Sequence, residues 1–188
     1  MLLPRTLITP FAACLFVTAI PAHAETDWKA VMAGVDGVVV YCELTTREGY
    51  AADVCDGITD AVEKSFDGSG LALVNTGTAY TGTAAEEGEA SDPAALKQAD
   101  GIERPLLLRI LVKGTSNKNP AVYAGLRAAI AYDAAIEQGS VAEGVAGELV
   151  LGEVDVVGDG PRKKLVAGVT QYIAGKAKPM FEAIRAGL

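Results

Sequence analysis

Histidine is almost missing from this chain. The 188 residues contain one, His23, and it lies in a stretch expected to be removed, which leaves the working protein with none. That excludes Ser–His–Asp and Cys–His nucleophilic sites, imidazole acid–base catalysis and histidine-containing zinc sites together. Cysteine is scarce as well: of three, Cys14 lies in the same stretch, leaving Cys42 and Cys55. Two thiols cannot build a four-cysteine metal site, and their spacing is not the C-x-x-C of thiol oxidoreductases. No Walker loop, G-x-G-x-x-G or G-x-S-x-G occurs, so nucleotide and hydrolase chemistry have no motif to rest on. No cofactor and no metal are expected. Cations are outnumbered, 16 Lys and Arg against 24 Asp and Glu, for a net charge of −8. Nucleic acid and anionic membrane both reward clustered Lys and Arg, so neither is expected as the main partner. Long apolar runs are lacking too, and no segment reaches the roughly 20 residues of a membrane-spanning helix.

What is present begins with an export signal. Arg5 supplies a positive start, Leu7 to Ile20 is mostly apolar, and Pro21-Ala22-His23-Ala24 places small residues at the −3 and −1 positions of a cleavage site. The expected signal is residues 1–24, with the mature chain starting at Glu25 in the periplasm or outside the cell. Phe11-Ala12-Ala13-Cys14 offers a competing lipoprotein site at Cys14, but apolar residues continue well past it, and the Ala24 site accounts for more of the segment. Losing Arg5 takes the 16 cations to 15 and the net charge from −8 to −9. Residues 25–188 are enough for one domain with a real core.

The periodicities then alternate between strand and helix. Trp28, Val31, Met32 and Val35 have helical spacing, and Val38–Leu44 reads as a first strand with Val38, Val40, Cys42 and Leu44 on one face. Thr45-x-x-Glu48 has the form of a capping box before a helix from Glu48 to Phe66, whose stripe carries Val54, Cys55, Ile58, Val62 and Phe66. Cys42 and Cys55 therefore lie on facing apolar surfaces, and in an oxidising compartment the expected outcome is a structural disulfide, with free thiols or a redox pair as alternatives. Asp67-Gly68-Ser69-Gly70 is a turn, and Leu71–Val74 a short second strand. Residues 75–101 are poor in large apolar groups and read as a mobile loop with a helical turn or two at Asp92–Ala99, capped by Asp92.

Leu106–Lys113 is a strand with Arg109 and Lys113 on its polar side. Residues 121–137 are Ala-rich, which suits a helix, but every even position from Val122 to Ile136 is apolar or aromatic, while Arg127, Asp133 and Glu137 are odd. A helix would bury two carboxylates in its apolar stripe, so the strand is favoured and the helix kept as the alternative. In Gly147–Val157 the inward set switches from odd (Leu149, Leu151) to even (Val154, Val156) at Gly152, where a β-bulge would restore the register. A last helix starts at Pro161, and Pro179 is expected to break it.

The expected fold is α+β: a mixed, mostly antiparallel five-stranded sheet in the order β-α-β-α-β-β-β-α, with two long helices packed on one face. This element order resembles the small α/β periplasmic domain of envelope accessory proteins, such as the N-terminal domain of the Tol–Pal translocation protein and the curli secretion component. The resemblance implies an envelope-protein partner and transfers no site residue.

Candidate chemistry is thin. Asp155-x-x-x-Asp159-Gly160 and Asp67-Gly68-Ser69-Gly70 lack the order of a calcium loop and are read as turns. Arg162-Lys163-Lys164 opens a helix, where the macrodipole disfavours cations; a solvated basic turn balanced by Asp155 and Asp159 is favoured over an anion or partner contact. No catalytic residue is assigned. The expected function is a non-catalytic periplasmic binding or accessory module that contacts an envelope protein through its sheet or its 75–101 loop. A small-ligand binder and a carboxylate-based enzyme are the alternatives.

Overall fold

A computed structural model of the protein describes residues 27–86, 92–115, 120–134 and 145–188. The expected signal segment, with Cys14, His23 and the expected cleavage site, lies outside the described residues. The elements are α1 (Trp28–Met32), β1 (Gly37–Leu44), α2 (Gly49–Phe66), β2 (Ala72–Tyr80), α3 (Thr83–Glu86), a 3-10 turn (Ala95–Lys97), β3 (Pro105–Gly114), β4 (Ala121–Ala134), β5 (Val145–Asp159) and α4 (Arg162–Gly187). The five strands form one mixed sheet in the order β2-β1-β3-β4-β5. β1 runs parallel to both β2 and β3, and β3-β4-β5 is an antiparallel meander with the longer ladders.

The central position of β1 explains its composition. Val38, Val39, Val40 and Tyr41 are buried on both faces of the sheet, as parallel strands flanked on either side usually are. Because β2 and β3 lie on opposite sides of β1, crossovers of the same right-handed sense must pass over opposite faces. The first crossover is α2. The second, residues 81–104, carries the 3-10 turn across the other face, where Leu96, Ala99 and Ile102 pack on Val39, Tyr41 and Leu107. It is fastened beside β1 by the Asp36 carboxylate, which accepts hydrogen bonds from the Glu103 and Arg104 amides at 2.8 and 2.9 Å. These bonds, the Glu103 amide's above all, hold the Asp36 carboxyl below the ordinary carboxylate range.

The main core lies between the sheet and the two long helices. Val38, Val40, Cys42 and Leu44 of β1 meet Val54, Ile58 and Val62 of α2, and Leu126 and Ile130 of β4 lie in the same buried cluster as Ile173, Phe181 and Ile184 of α4. Phe66 and Phe181 make an edge-to-face contact with ring centres 5.3 Å apart. Ala121–Ala134 is a strand with Leu126 and Ile130 inward, as its alternation required. The expected bulge is present in β5: Ala128 pairs with Gly152 and Ala129 with Val150, so Leu151 is the extra residue. Leu149, expected inward, pairs with Ile130 yet stays 47% exposed at the sheet edge.

Three local expectations are corrected. The second strand does not stop at Val74 but continues to Tyr80, so the connection expected at 75–101 is shorter. A bulge opposite Val40 and Tyr41 lets it continue: Gly77 takes a φ of 101°, and the Thr76 hydroxyl donates to the Leu96 carbonyl at 2.6 Å. The capping box is not formed; the Thr46 hydroxyl, not Thr45, accepts from the Glu48 amide, and Glu48 is the cap residue without a side-chain bond. Finally, α4 runs unbroken through Pro179. Pro179 and Gly175 both face solvent, so the Gly175 carbonyl that loses its partner can reach water while Ile173, Ala177 and Phe181 stay buried.

Candidate functional site

The face of the sheet opposite the long helices is only partly covered, and its alternate residues form a polar array. β1 contributes Tyr41 and Glu43, β3 Arg109, β4 Tyr123 and Arg127, and β5 Glu153, Asp155 and Val157. Strand periodicity puts them there, because each has apolar neighbours pointing into the main core. Glu43 and Arg109 form an ion pair with Oε1 3.0 Å from Nε, and only 12% of the Glu43 side chain is exposed. Arg109 lies directly opposite Arg127, and Arg127 directly opposite Glu153. Two arginines facing each other across a ladder repel; Glu43 offsets this by pairing with Arg109, while Glu153 stands opposite Arg127 without an ion pair to it.

Burial is uneven across this array. The Arg127 Nε is buried without a hydrogen-bond partner, and the Arg109 Nε faces Glu43 without hydrogen-bond alignment. Tyr41 is almost fully buried, and desolvation, then the charges of Glu148 and Glu43, push its phenol up to about 12 against the opposing pull of Arg109 and Arg127. Tyr123 is also raised, first by burial and then by Asp155 and Glu153. Lys113 sits over the Tyr123 ring at 5.8 Å. Where the second crossover crosses the strand ends, a cleft of about 710 Å³ opens among Lys97, Ile102, Leu107, Arg127 and Glu148. Lys97 and Glu148 pair across it. The array presents charged and hydrogen-bonding groups along one face of the sheet, with the Tyr41 phenol buried beneath them.

The residues singled out from sequence fare differently. Cys42 and Cys55 are disulfide-bonded, with their Cα atoms 6.3 Å apart, pinning α2 to β1. Arg162, Lys163 and Lys164 do not converge on one point. Arg162 reaches across to α2, where Nη2 and Nε meet Asp53 Oδ2 at 2.8 and 3.3 Å, while Lys163 and Lys164 are exposed. The counter-charge is thus Asp53, not Asp155 or Asp159, which lie on β5. Among the described residues, no three His, Cys, Asp or Glu come together as metal ligands would.

The array itself was only half visible in sequence. Arg109 and Arg127 were placed on polar strand faces, but their direct opposition, and the meeting of Lys97 with Glu148, depend on register and on the second crossover. No described helix is long and apolar enough to cross a membrane. No family model and no curated protein matches the chain. Among solved structures, a hypothetical protein from Chlamydia trachomatis is similar at 12% identity with a TM-score of 0.34, over 78% of this chain and 98% of that one.

Proposed function

We propose that this chain is an exported, non-catalytic binding module of the bacterial envelope, which contacts a partner protein through the uncovered face and outer strand of its sheet. One observation carries the reading. Of the five large apolar side chains left exposed among the described residues, three, Leu149, Val150 and Val157, are on β5, at 47, 42 and 74% exposure; Tyr172 and Leu188 are the others. Val150 and Val157 lie on the same face as the polar array, and exposed apolar groups along an outer strand beside charged residues fit a contact surface. The disulfide suits an oxidising compartment such as the periplasm, and the element order suits the resemblance to envelope accessory domains.

A small-ligand site is the second reading, favoured by the cleft beside Arg127. The carboxylate-enzyme alternative is not taken forward, because Glu148 at that cleft is committed to Lys97. The test is site-specific photo-crosslinking in the native cell, with the probe at Val157 or Lys113 on the sheet and at Asp60 on α2 as control. A discrete protein adduct from the two sheet positions alone is expected. Adducts from none, or equally from Asp60, would refute the reading and leave the cleft as the site to pursue.

A further inference from the structure

We infer that the free edge of β5 takes up an extended segment of the partner as a sixth strand, and that this segment carries Lys or Arg at alternate positions. The inference rests on the binding-module reading and deepens it. β5 is the last strand in the sheet order and pairs on one side only, with β4. Among the described residues its outer row of amides and carbonyls has no strand partner, which suits strand addition. The strand is also firmly backed. Met180 packs over Gly152, and Leu165 and Val169 pack over Gly158, so closely that a Cβ at either glycine would meet them at 2.6 to 3.1 Å. The other outer strand, β2, is a poorer template, since its bulge at Thr76 divides it.

Charge identifies the occupant. Beyond its own bulge, β5 is regular from Glu153 to Asp159, and its open side presents Glu153, Asp155, Val157 and Asp159, all exposed. None of the three carboxylates forms an ion pair among the described residues. The neighbour on the paired side shows what suits them: Arg127 stands opposite Glu153, and Tyr123 opposite Val157. A second copy of this chain is disfavoured. Two-fold antiparallel pairing centred on Asp155, Val156 or Val157 sets Asp155 on Asp155, Glu153 on Asp159, or Asp155 on Asp159, and like charges directly opposite are destabilising. A strand with cations at those positions and an aromatic or apolar residue opposite Val157 reverses each of these penalties.

The probe is a synthetic peptide of about ten residues alternating lysine with threonine, with a central tyrosine. Its controls are the same peptide with glutamate for lysine and one with alternate amides N-methylated. Binding is followed by fluorescence anisotropy and by amide exchange of the protein. The lysine peptide should bind and protect amides within Glu153–Asp159, and both controls should fail. Combining Glu153→Gln, Asp155→Asn and Asp159→Asn should weaken binding about tenfold, with an unchanged melting temperature showing that the variant folds. Equal binding of the N-methylated peptide would reduce the effect to diffuse charge attraction and overturn strand addition. Equal binding of the glutamate peptide, or a dimer at neutral pH held by β5, would overturn the basic occupant. If crosslinks from Val157 capture a partner while the peptide tests fail, strand addition falls and the binding module survives.

Discussion

At the scale of single residues, Tyr41 links the array to stability. Its phenol titrates at about 12 in the fold against about 10 when exposed. The neutral form is favoured by folding, so the contribution is fully present below pH 10 and is lost as pH rises from 10 towards 12. Alkaline unfolding is therefore expected to steepen in that window and to flatten there in Tyr41→Phe, as followed by circular dichroism against pH. An unchanged profile in the variant would show that another group governs alkaline unfolding. Cys42 and Cys55 act differently, through the unfolded chain. They close a short loop, with a sequence separation of 13, and loop-closure entropy assigns the bridge about 3 kcal/mol. Replacing both by alanine should lower stability by about that amount in urea unfolding. Partner binding should persist, since both sulfurs lie on the helix side of the sheet. Freely alkylated thiols in the native protein would refute the structural role.

At the scale of elements, α4 poses the clearest question of cost. Pro179 removes one hydrogen bond from a 26-residue helix, and an interior proline costs about 3 kcal/mol relative to alanine before any accommodation. Pro179→Ala is expected to raise stability by about 1–3 kcal/mol in thermal melts. A fall would mean that a bend at Pro179 is needed to bring Phe181 against Phe66. The same helix shows how far the sequence could be read. Its buried stripe was visible on both sides of Pro179, but not that solvent exposure of Gly175 and Pro179 would let the helix pass. β4 was legible despite its alanines, because a helix would have put Asp133 and Glu137 within the stripe of Val122, Leu126 and Ile130, whereas period-two alternation keeps them off it. β2 was not: as an outer strand it keeps only Ala79 fully buried, so its second half has no apolar pattern to detect. The candidate site shared both fates. Its arginines announced their side of the sheet, while their partners came from register and from a crossover whose path no local pattern encodes.

At the scale of the whole molecule, the acidic balance and the edge of β5 belong together, since like charge along an open strand restrains self-pairing. Export predicts a defined start: N-terminal sequencing of the protein recovered from the periplasm should begin at Glu25, and a lipid-modified Cys14 there would refute the cleavage site. The two crossovers on opposite faces have a kinetic consequence. β1, α2, β2 and the disulfide form one contiguous stretch, and β3, β4, β5 and α4 another, each rich in contacts between near neighbours in sequence. The parallel seam of β1 with β3, where Val40 meets Leu108, joins them along the sheet, while α2 packs on α4 through Phe66 and Phe181; both are non-local, and the strand pairing across a long loop is the slower kind to form. Assembly of that seam should limit the rate of folding. Truncating Leu108 should then slow refolding, whereas truncating Val154 in the outer strand should mainly speed unfolding. Until the seam closes, the folding chain shows the bare inner edge of β1, so its hazardous interval is set by the arrival of β3.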